Sequence, residues 1–244
     1  MVMVAVHTAR KHTTLEPHCI YDGKENEFTA WLTKHGVRII RHRSFVRAAL
    51  TELGRKKGNP HLAAALSGAF SRVELPEIVA RAGGNARVLY TDCDVIFVDE
   101  VVPELEANAC DYFAVAPESV RDDYVNMNTG VMLMNTKRLG ESLPAFREYI
   151  SKNLAALEAE SWDEAAYRWF YRDENGPLWD RLRPELNWKP YWGENAEAKI
   201  IHFHGPKPFQ RDYIDSHFPE LKGLTSGAYL TEIDNWARLL EEAR

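Results

Sequence analysis

Cysteine is scarce. Three in 244 residues cannot build a disulfide framework, and the odd number leaves one over. That excludes a stapled secreted miniprotein and makes a reducing, cytoplasmic setting the expectation. Long apolar runs are missing too. Runs such as 131–134 and 95–98 fall far short of the roughly 18 residues a membrane span needs. The opening apolar stretch meets His7, Arg10 and Lys11 before a secretory core can form. No repeat, no Pro/Ser-rich linker and no low-complexity tract interrupts the chain. With 45% hydrophobic and 27% charged residues, the composition is that of a folded globular protein.

Charge is unevenly spread. Residues 1–60 carry a net +6 and residues 61–244 a net −12, giving −6 overall. A net acidic chain argues against nucleic acid as the main partner. The basic opening fits a solvated face, a phosphorylated ligand or an anionic membrane surface met peripherally.

Hydrophobic spacing alternates between strand and helix. Strands are expected at 18–22, 37–41, 87–92, 112–116, 129–135 and 199–204. Helices are expected at 27–35 with Gly36 as terminator, 45–57 ending at Gly58, and from an Asn59 cap with Pro60 first in the helix. That last helical region runs to Gly83 and Gly84, with a break near Pro76. Further helices fall at 142–159, 161–171 and 228–242. The apolar run 87–92 reads as a strand covered on both faces. Segment 175–193 is irregular and rich in Trp and Pro. One α/β domain with a helical tail at 210–244 accounts for the pattern.

Four segments carry chemistry. Asp92 and Asp94 end the apolar strand and flank Cys93, which reads as a packing residue. In extended chain they project from one face about 6 to 7 Å apart, a spacing at which two carboxylates can share a divalent cation. Solvated acids in a turn are the alternative. An apolar strand also delivers His202 and His204, then Gly205, Pro206 and Lys207. A neutral imidazole joining carboxylates gives the mixed O/N donor set that suits Mn²⁺, and Lys207 offers a compact charge to phosphate. Asn128, Thr129 and Gly130 open a strand with neutral hydrogen-bonding groups of the kind a sugar needs. Ser161 and Glu164 have capping-box spacing, and Asp163 sits where a helix dipole favours an acid.

Taken together and in order, these segments resemble glycosyltransferase family 8, the retaining GT-A enzymes that include glycogenin and bacterial lipopolysaccharide galactosyltransferases. The resemblance runs through Phe70-Ser71-Arg72 with Leu75-Pro76, then residues 88–94, 128–135, Asp163-Glu164 where the family usually has Asp-Gln, 182–187 and 202–209. It implies a GT-A-like, Rossmann-like mixed sheet flanked by helices, formed by residues 1–244 as one domain. It implies metal-dependent transfer of a hexosyl group, with retention, from a nucleotide sugar (UDP-linked) to a saccharide or glycoconjugate. By resemblance Asp92, Asp94 and His202 hold Mn²⁺ or Mg²⁺. Arg72, Thr91, Asp92, Asn128, Thr129, Gly130, Gly205 and Lys207 bind the donor, and Glu164 and Asp163 are the catalytic carboxylates.

One departure stands out. The family's usual first strand, which ends in an Ala-Asp-like pair and holds the nucleotide base, is not found. Residues 2–10 read as the helix that follows it. A non-catalytic glycosyltransferase-like binding protein, or a fragment of a longer enzyme, is therefore the competing expectation. A sugar-phosphate nucleotidyltransferase would need a Gly-rich phosphate loop, which the sequence lacks.

Overall fold

The computed structural model describes residues 1–217, 219–225 and 227–244. Helix α1 (Val2–His12) ends in Arg10, Lys11 and His12, cations suited to a helix C-terminus. Strands β1 (His18–Tyr21) and β2 (Arg38–Arg41) pair in parallel across helix α2 (Glu27–Lys34). Asn26 starts α2 through a reciprocal cap: its Oδ1 accepts from Thr29 N at 3.0 Å, and Thr29 Oγ1 accepts from Asn26 N at 3.0 Å. Gly36, at φ 69°, ends the segment in a conformation that glycine adopts without a Cβ clash.

Helices α3 (Arg47–Lys56), α4 (Leu62–Phe70) and α5 (Leu75–Ala82) follow, with a 3-10 turn, Ser71–Glu74, between the last two. Two expectations shift here. Asn59 does not cap a helix beginning at Pro60; its Oδ1 accepts from His61 N at 3.2 Å inside a turn, and α4 starts after it. The break expected near Pro76 is the 3-10 turn just ahead of it, and Pro76 sits in the first turn of α5, where its missing N–H costs nothing.

The central sheet has the order β3 (Arg87–Thr91), β6 (Met127–Asn135), β5 (Phe113–Pro117), β9 (Asp180–Arg181). β6 runs antiparallel to both neighbours, and β9 runs parallel to β5. Between them in sequence lie β4 (Val95–Phe97), α6 (Val102–Ala107), α7 (Thr136–Glu158), α8 (Asp163–Phe170) and the hairpin of β7 (Arg172–Asp173) and β8 (Gly176–Pro177). β10 (Ile200–His202) pairs antiparallel with β4. Helices α9 (Arg211–His217) and α10 (Ala228–Ala243) close the chain. Phe218 and Ser226, within the expected 210–244 tail, lie outside the described residues.

β6 shows why the sheet is covered on both faces at its centre. Met132 and Met134 alternate onto the side of α7 and α8, joined by Met127 across an irregularity in the β5–β6 register, and there Phe113, Phe146, Tyr167 and Tyr171 pack edge to face. Val131 and Leu133 face a second cluster with Val95, Leu105 and Ile200. A third cluster seats α1 and α10 against Ile96, Ile201 and Phe203. Burial of each such side chain contributes about 1.5–3 kcal/mol.

β3 is flanked on both faces, Val88 and Tyr90 packing against the first cluster and Leu89 against the second. Residues 88–91 are half-buried, and β3 ends its sheet, with β6 on one edge and no strand on the other among the described residues. α7 begins six residues earlier than the apolar spacing indicates. Asn135, whose side chain accepts from Arg138 N at 3.1 Å, is the true cap. Among the described residues no helix is long and apolar enough to cross a membrane.

Candidate active site

β3 runs into Asp92 and Asp94, and β10 ends at His202 beside them. One ligand atom from each residue lies within 4.8 Å of the other two. The sequence expectation of two acids and a histidine on strand ends is met in space.

Each acid is held differently. Asp92 Oδ1 accepts from Arg72 Nη2 at 2.7 Å and from the Tyr90 hydroxyl at 2.9 Å. Asp94 Oδ2 accepts from Lys207 Nζ, which also donates to Phe203 O at 2.8 Å. Asp94 Oδ1 is buried without a hydrogen bond, and His202 Nε2 stands 3.4 Å from it. Burial works against charge on Asp94, but His202 in its protonated form and then Lys207 outweigh it and hold the carboxyl well below the usual range.

His202 is oriented from behind. Its Nδ1 lies 2.9 Å from Asn187 Oδ1, and an amide oxygen only accepts, so Nδ1 carries the proton. In the neutral ring Nε2 then turns a lone pair toward the acids, whereas in the protonated ring it points its hydrogen at Asp94. An unsatisfied carboxylate oxygen facing an imidazole lone pair is an arrangement that a cation completes. Two carboxylates and one imidazole thus have the donor chemistry for a divalent metal ion.

Gly130 has a clear steric role. A Cβ there would fall 2.1 Å from His202 Cε1, so only glycine admits the ring. Gly205, at φ 84°, turns the chain between His202 and Lys207. His204 does not join the triad. Its N–H donates within the turn to His202 O at 2.8 Å, and the reversed chain sends the ring to Tyr191 instead. His204 lies beyond the strand, because β10 ends at His202. Cys93 is exposed, not packed.

Arg72, buried in the 3-10 turn, ties the elements together. It donates to Thr129 O at 2.5 Å and Asp92 at 2.7 Å, and its Nε lies 3.1 Å from Asp163 Oδ2. Its guanidinium sits over the Tyr90 ring at 4.7 Å. Burial raises the Asp163 carboxyl above its ordinary value, with Arg72 pulling the other way.

The capping box expected at Ser161 and Glu164 does not form. Trp162, at φ 52°, takes the cap position, and the Ser161 hydroxyl is buried without a partner. Glu164 reaches into the sheet instead. Its Oε2 accepts from Asn128 Nδ2 at 3.1 Å and Thr129 N at 3.2 Å, and its Oε1 from Arg168 at 2.5 Å. Burial pushes its carboxyl up to about 7 despite Arg168. Thr91, the last residue of β3, leads into Asp92.

A second polar group, not anticipated from the sequence, adjoins Glu164. Arg168 also donates to Glu118 at 2.5 Å. The Tyr191 hydroxyl donates to Glu118 O at 2.9 Å and accepts from His204 Nδ1 at 2.8 Å. Lys189, fully buried, donates to Pro117 O at 2.6 Å and lies 4.4 Å from the Trp192 ring, and burial holds its pKa well below the ordinary lysine value. Arg168 stands at i+4 from Glu164, the one signal that helical spacing offered. Lys189 lies between Trp188 and Pro190 in the segment read only as irregular.

No family model matches the chain, and no curated protein does. Solved structures do. The glycosyltransferase GlyE of Streptococcus pneumoniae TIGR4 matches with a TM-score of 0.62 at 16% identity, over 99% of this chain and 60% of GlyE. The chain thus spans about three fifths of that protein's length. The galactosyltransferase LgtC, solved with donor and acceptor sugar analogues, matches at 0.61 and 17% identity, over 91% of this chain and 90% of LgtC. Mouse xyloside xylosyltransferase 1 matches at 0.55 and 13%, over 84% and 91%. At these identities the likeness shows the fold, an α/β architecture of GT-A type.

Proposed function

We propose that the chain is a metal-dependent glycosyltransferase that moves a hexosyl group from a UDP-linked sugar to a saccharide or glycoconjugate acceptor with retention. The observation that carries this reading is the Asp92, Asp94 and His202 cluster on a fold shared with glycosyltransferases. These three residues would hold Mn²⁺ or Mg²⁺. When bound, the ion supplies Lewis-acid neutralisation of a departing diphosphate, worth several kcal/mol.

The chain's own residues do the rest. Lys207, beside Asp94, places a compact cation at the same end of the sheet for the diphosphate, and Gly205 lets backbone approach it. Arg72 fixes Asp92 and Asp163 at once. Thr91, Asn128, Thr129 and Gly130 form the polar strand ends against which the donor sugar lies. As the glycosidic bond breaks, the anomeric carbon gains positive charge, and a carboxylate close by stabilises it. Glu164 and Asp163 are the candidates. Glu164, with its carboxyl near neutrality, is ionised in a large fraction of molecules at pH 7 and above.

The direct test measures UDP release from a panel of UDP-sugars with Mn²⁺ and with chelator. Metal-dependent release from at least one donor is expected; neither turnover nor binding across the panel overturns the reading. One observation favours a second reading, a donor-binding protein without turnover. Both Glu164 oxygens are engaged, and the side chain is almost wholly buried. Donor binding without release in the same panel would select it.

A further inference from the structure

We infer that Asn187, acting with Asn128, is a positioning residue that sets the tautomer of His202 and so presents Nε2 to a metal ion. The inference rests on the metal reading of the triad but concerns atoms that the protein itself orders.

The argument runs from a backbone donor outward. Gly130 N–H can only donate, and it lies 3.1 Å from Asn128 Oδ1. That fixes which end of the Asn128 amide is oxygen. The other end, Nδ2, donates to Glu164 Oε2 at 3.1 Å, in agreement. The same Asn128 Oδ1 accepts from Asn187 Nδ2 at 3.0 Å, so the Asn187 amide is oriented as well. Its oxygen faces His202 Nδ1 at 2.9 Å. Nδ1 must then bear hydrogen, and in the neutral ring Nε2 keeps its lone pair.

Reversing the tautomer would oppose lone pairs at one contact after another. Nδ1 would meet the Asn187 oxygen. Flipping Asn187 would set two amide oxygens together, and flipping Asn128 in turn would turn its NH₂ toward Gly130 N–H. No water relieves these clashes cheaply, because Asn187 is 0%, Asn128 3% and His202 2% exposed. Metal-binding histidines are commonly oriented by a partner on the other ring nitrogen, and losing it costs about 10- to 100-fold in affinity. Here that partner is an amide whose own direction is dictated by main chain.

The experiment reads the tautomer directly. Histidine ¹⁵N shifts and long-range ¹H–¹⁵N couplings are recorded on metal-free protein at alkaline pH, and Mn²⁺ affinity is measured by titration calorimetry. Wild-type His202 is expected to carry hydrogen on Nδ1. Asn187→Leu is expected to shift hydrogen toward Nε2 and weaken Mn²⁺ about 10- to 100-fold. Asn187→Asp, which keeps an acceptor toward Nδ1 although its second oxygen now meets Asn128 Oδ1, is expected to lose stability but to retain the wild-type tautomer and an affinity nearer wild type than Asn187→Leu. Hydrogen on Nε2 in the wild type overturns the inference whether or not the variants fold. So does an equal loss of affinity in both variants, which would make Asn187 a packing residue. Absence of Mn²⁺ binding by the wild type would sink the metal reading instead, while the metal-free spectrum still decides the tautomer.

Discussion

Two polar clusters lie side by side at the same end of the sheet, and they are built on opposite plans. In the first, Asp92, Asp94 and His202 bring acceptors together: Asp94 Oδ1 has no hydrogen bond, and the His202 lone pair faces it. In the second, Glu118, Glu164, Arg168, Tyr191 and His204 satisfy one another, with donors meeting acceptors at 2.5 to 2.9 Å. A buried acceptor pair without a donor is costly unless a cation joins it. A closed network is stable without a ligand and holds its members rigid. The first cluster is therefore the one that awaits something, and the second is the wall it stands against.

The sharpest way to break this contrast is to remove the unsatisfied oxygen. Asp94→Asn replaces a ligand with a neutral amide, and the loss should exceed what an outer partner costs. Mn²⁺ affinity is expected to fall at least about 100-fold. Stability without metal should also fall, since the folded protein favours the charged Asp94 carboxylate and Lys207 loses its partner. Calorimetric titration and thermal melts in chelator read the two effects. Unchanged Mn²⁺ affinity would mean that the first cluster is not the metal site.

Gly130→Ala attacks the same cluster sterically. The new methyl would fall on the His202 ring, so either the ring or β6 must move. A loss of about 1–3 kcal/mol in stability is expected from overpacking, with Mn²⁺ affinity reduced by tens of fold. Denaturant melts alongside titration separate these. A variant with wild-type affinity would show that ring placement is not critical.

Glu164 links the two clusters, and its test is pH. Its carboxyl is raised from 4.5 to about 7, chiefly by burial. The folded protein therefore holds this proton more tightly than the unfolded chain. The resulting stabilisation is complete below about pH 4.5, is lost as pH rises toward 7, and is absent above it. Glu164→Gln should flatten that part of the profile and gain roughly 1–3 kcal/mol relative to wild type above pH 7. If the carboxylate also serves catalysis, turnover should rise with pH near 7 in the wild type and lose that limb in the variant. Full turnover by Glu164→Gln would remove Glu164 from the chemistry.

The sequence displayed the first cluster far better than the second, and the reason is physical. A metal site needs particular residue types at strand ends, so Asp92, Asp94, His202 and Lys207 stood out by chemistry and spacing. The apolar runs of β5, β6 and β10 and the glycine stops at Gly36, Gly58 and Gly83 were equally plain, because local sterics write them. What failed was tertiary. Ser161 and Glu164 had capping spacing, yet Glu164 found better partners in Asn128, Thr129 and Arg168 than the helix end could offer. β3 was legible as a strand flanked on both faces, but only the sheet order revealed that its outer edge is open. Lys189 and Tyr191 gave no pattern, since their partners are backbone carbonyls at Pro117 and Glu118, far away in sequence.

Tyr191→Phe makes the mildest probe of the separation between the clusters. It deletes one hydroxyl that donates to Glu118 O and accepts from His204 Nδ1, and it leaves the ring in place. Leaving those two groups without their partner should cost about 1–2 kcal/mol, visible as a lower denaturant midpoint at unchanged slope. Neither atom touches Asp92, Asp94 or His202, so Mn²⁺ affinity should stay within experimental error of wild type. A marked fall in affinity with only a small loss of stability would mean that the closed network tensions the triad through His204, and the wall would then be part of the metal site.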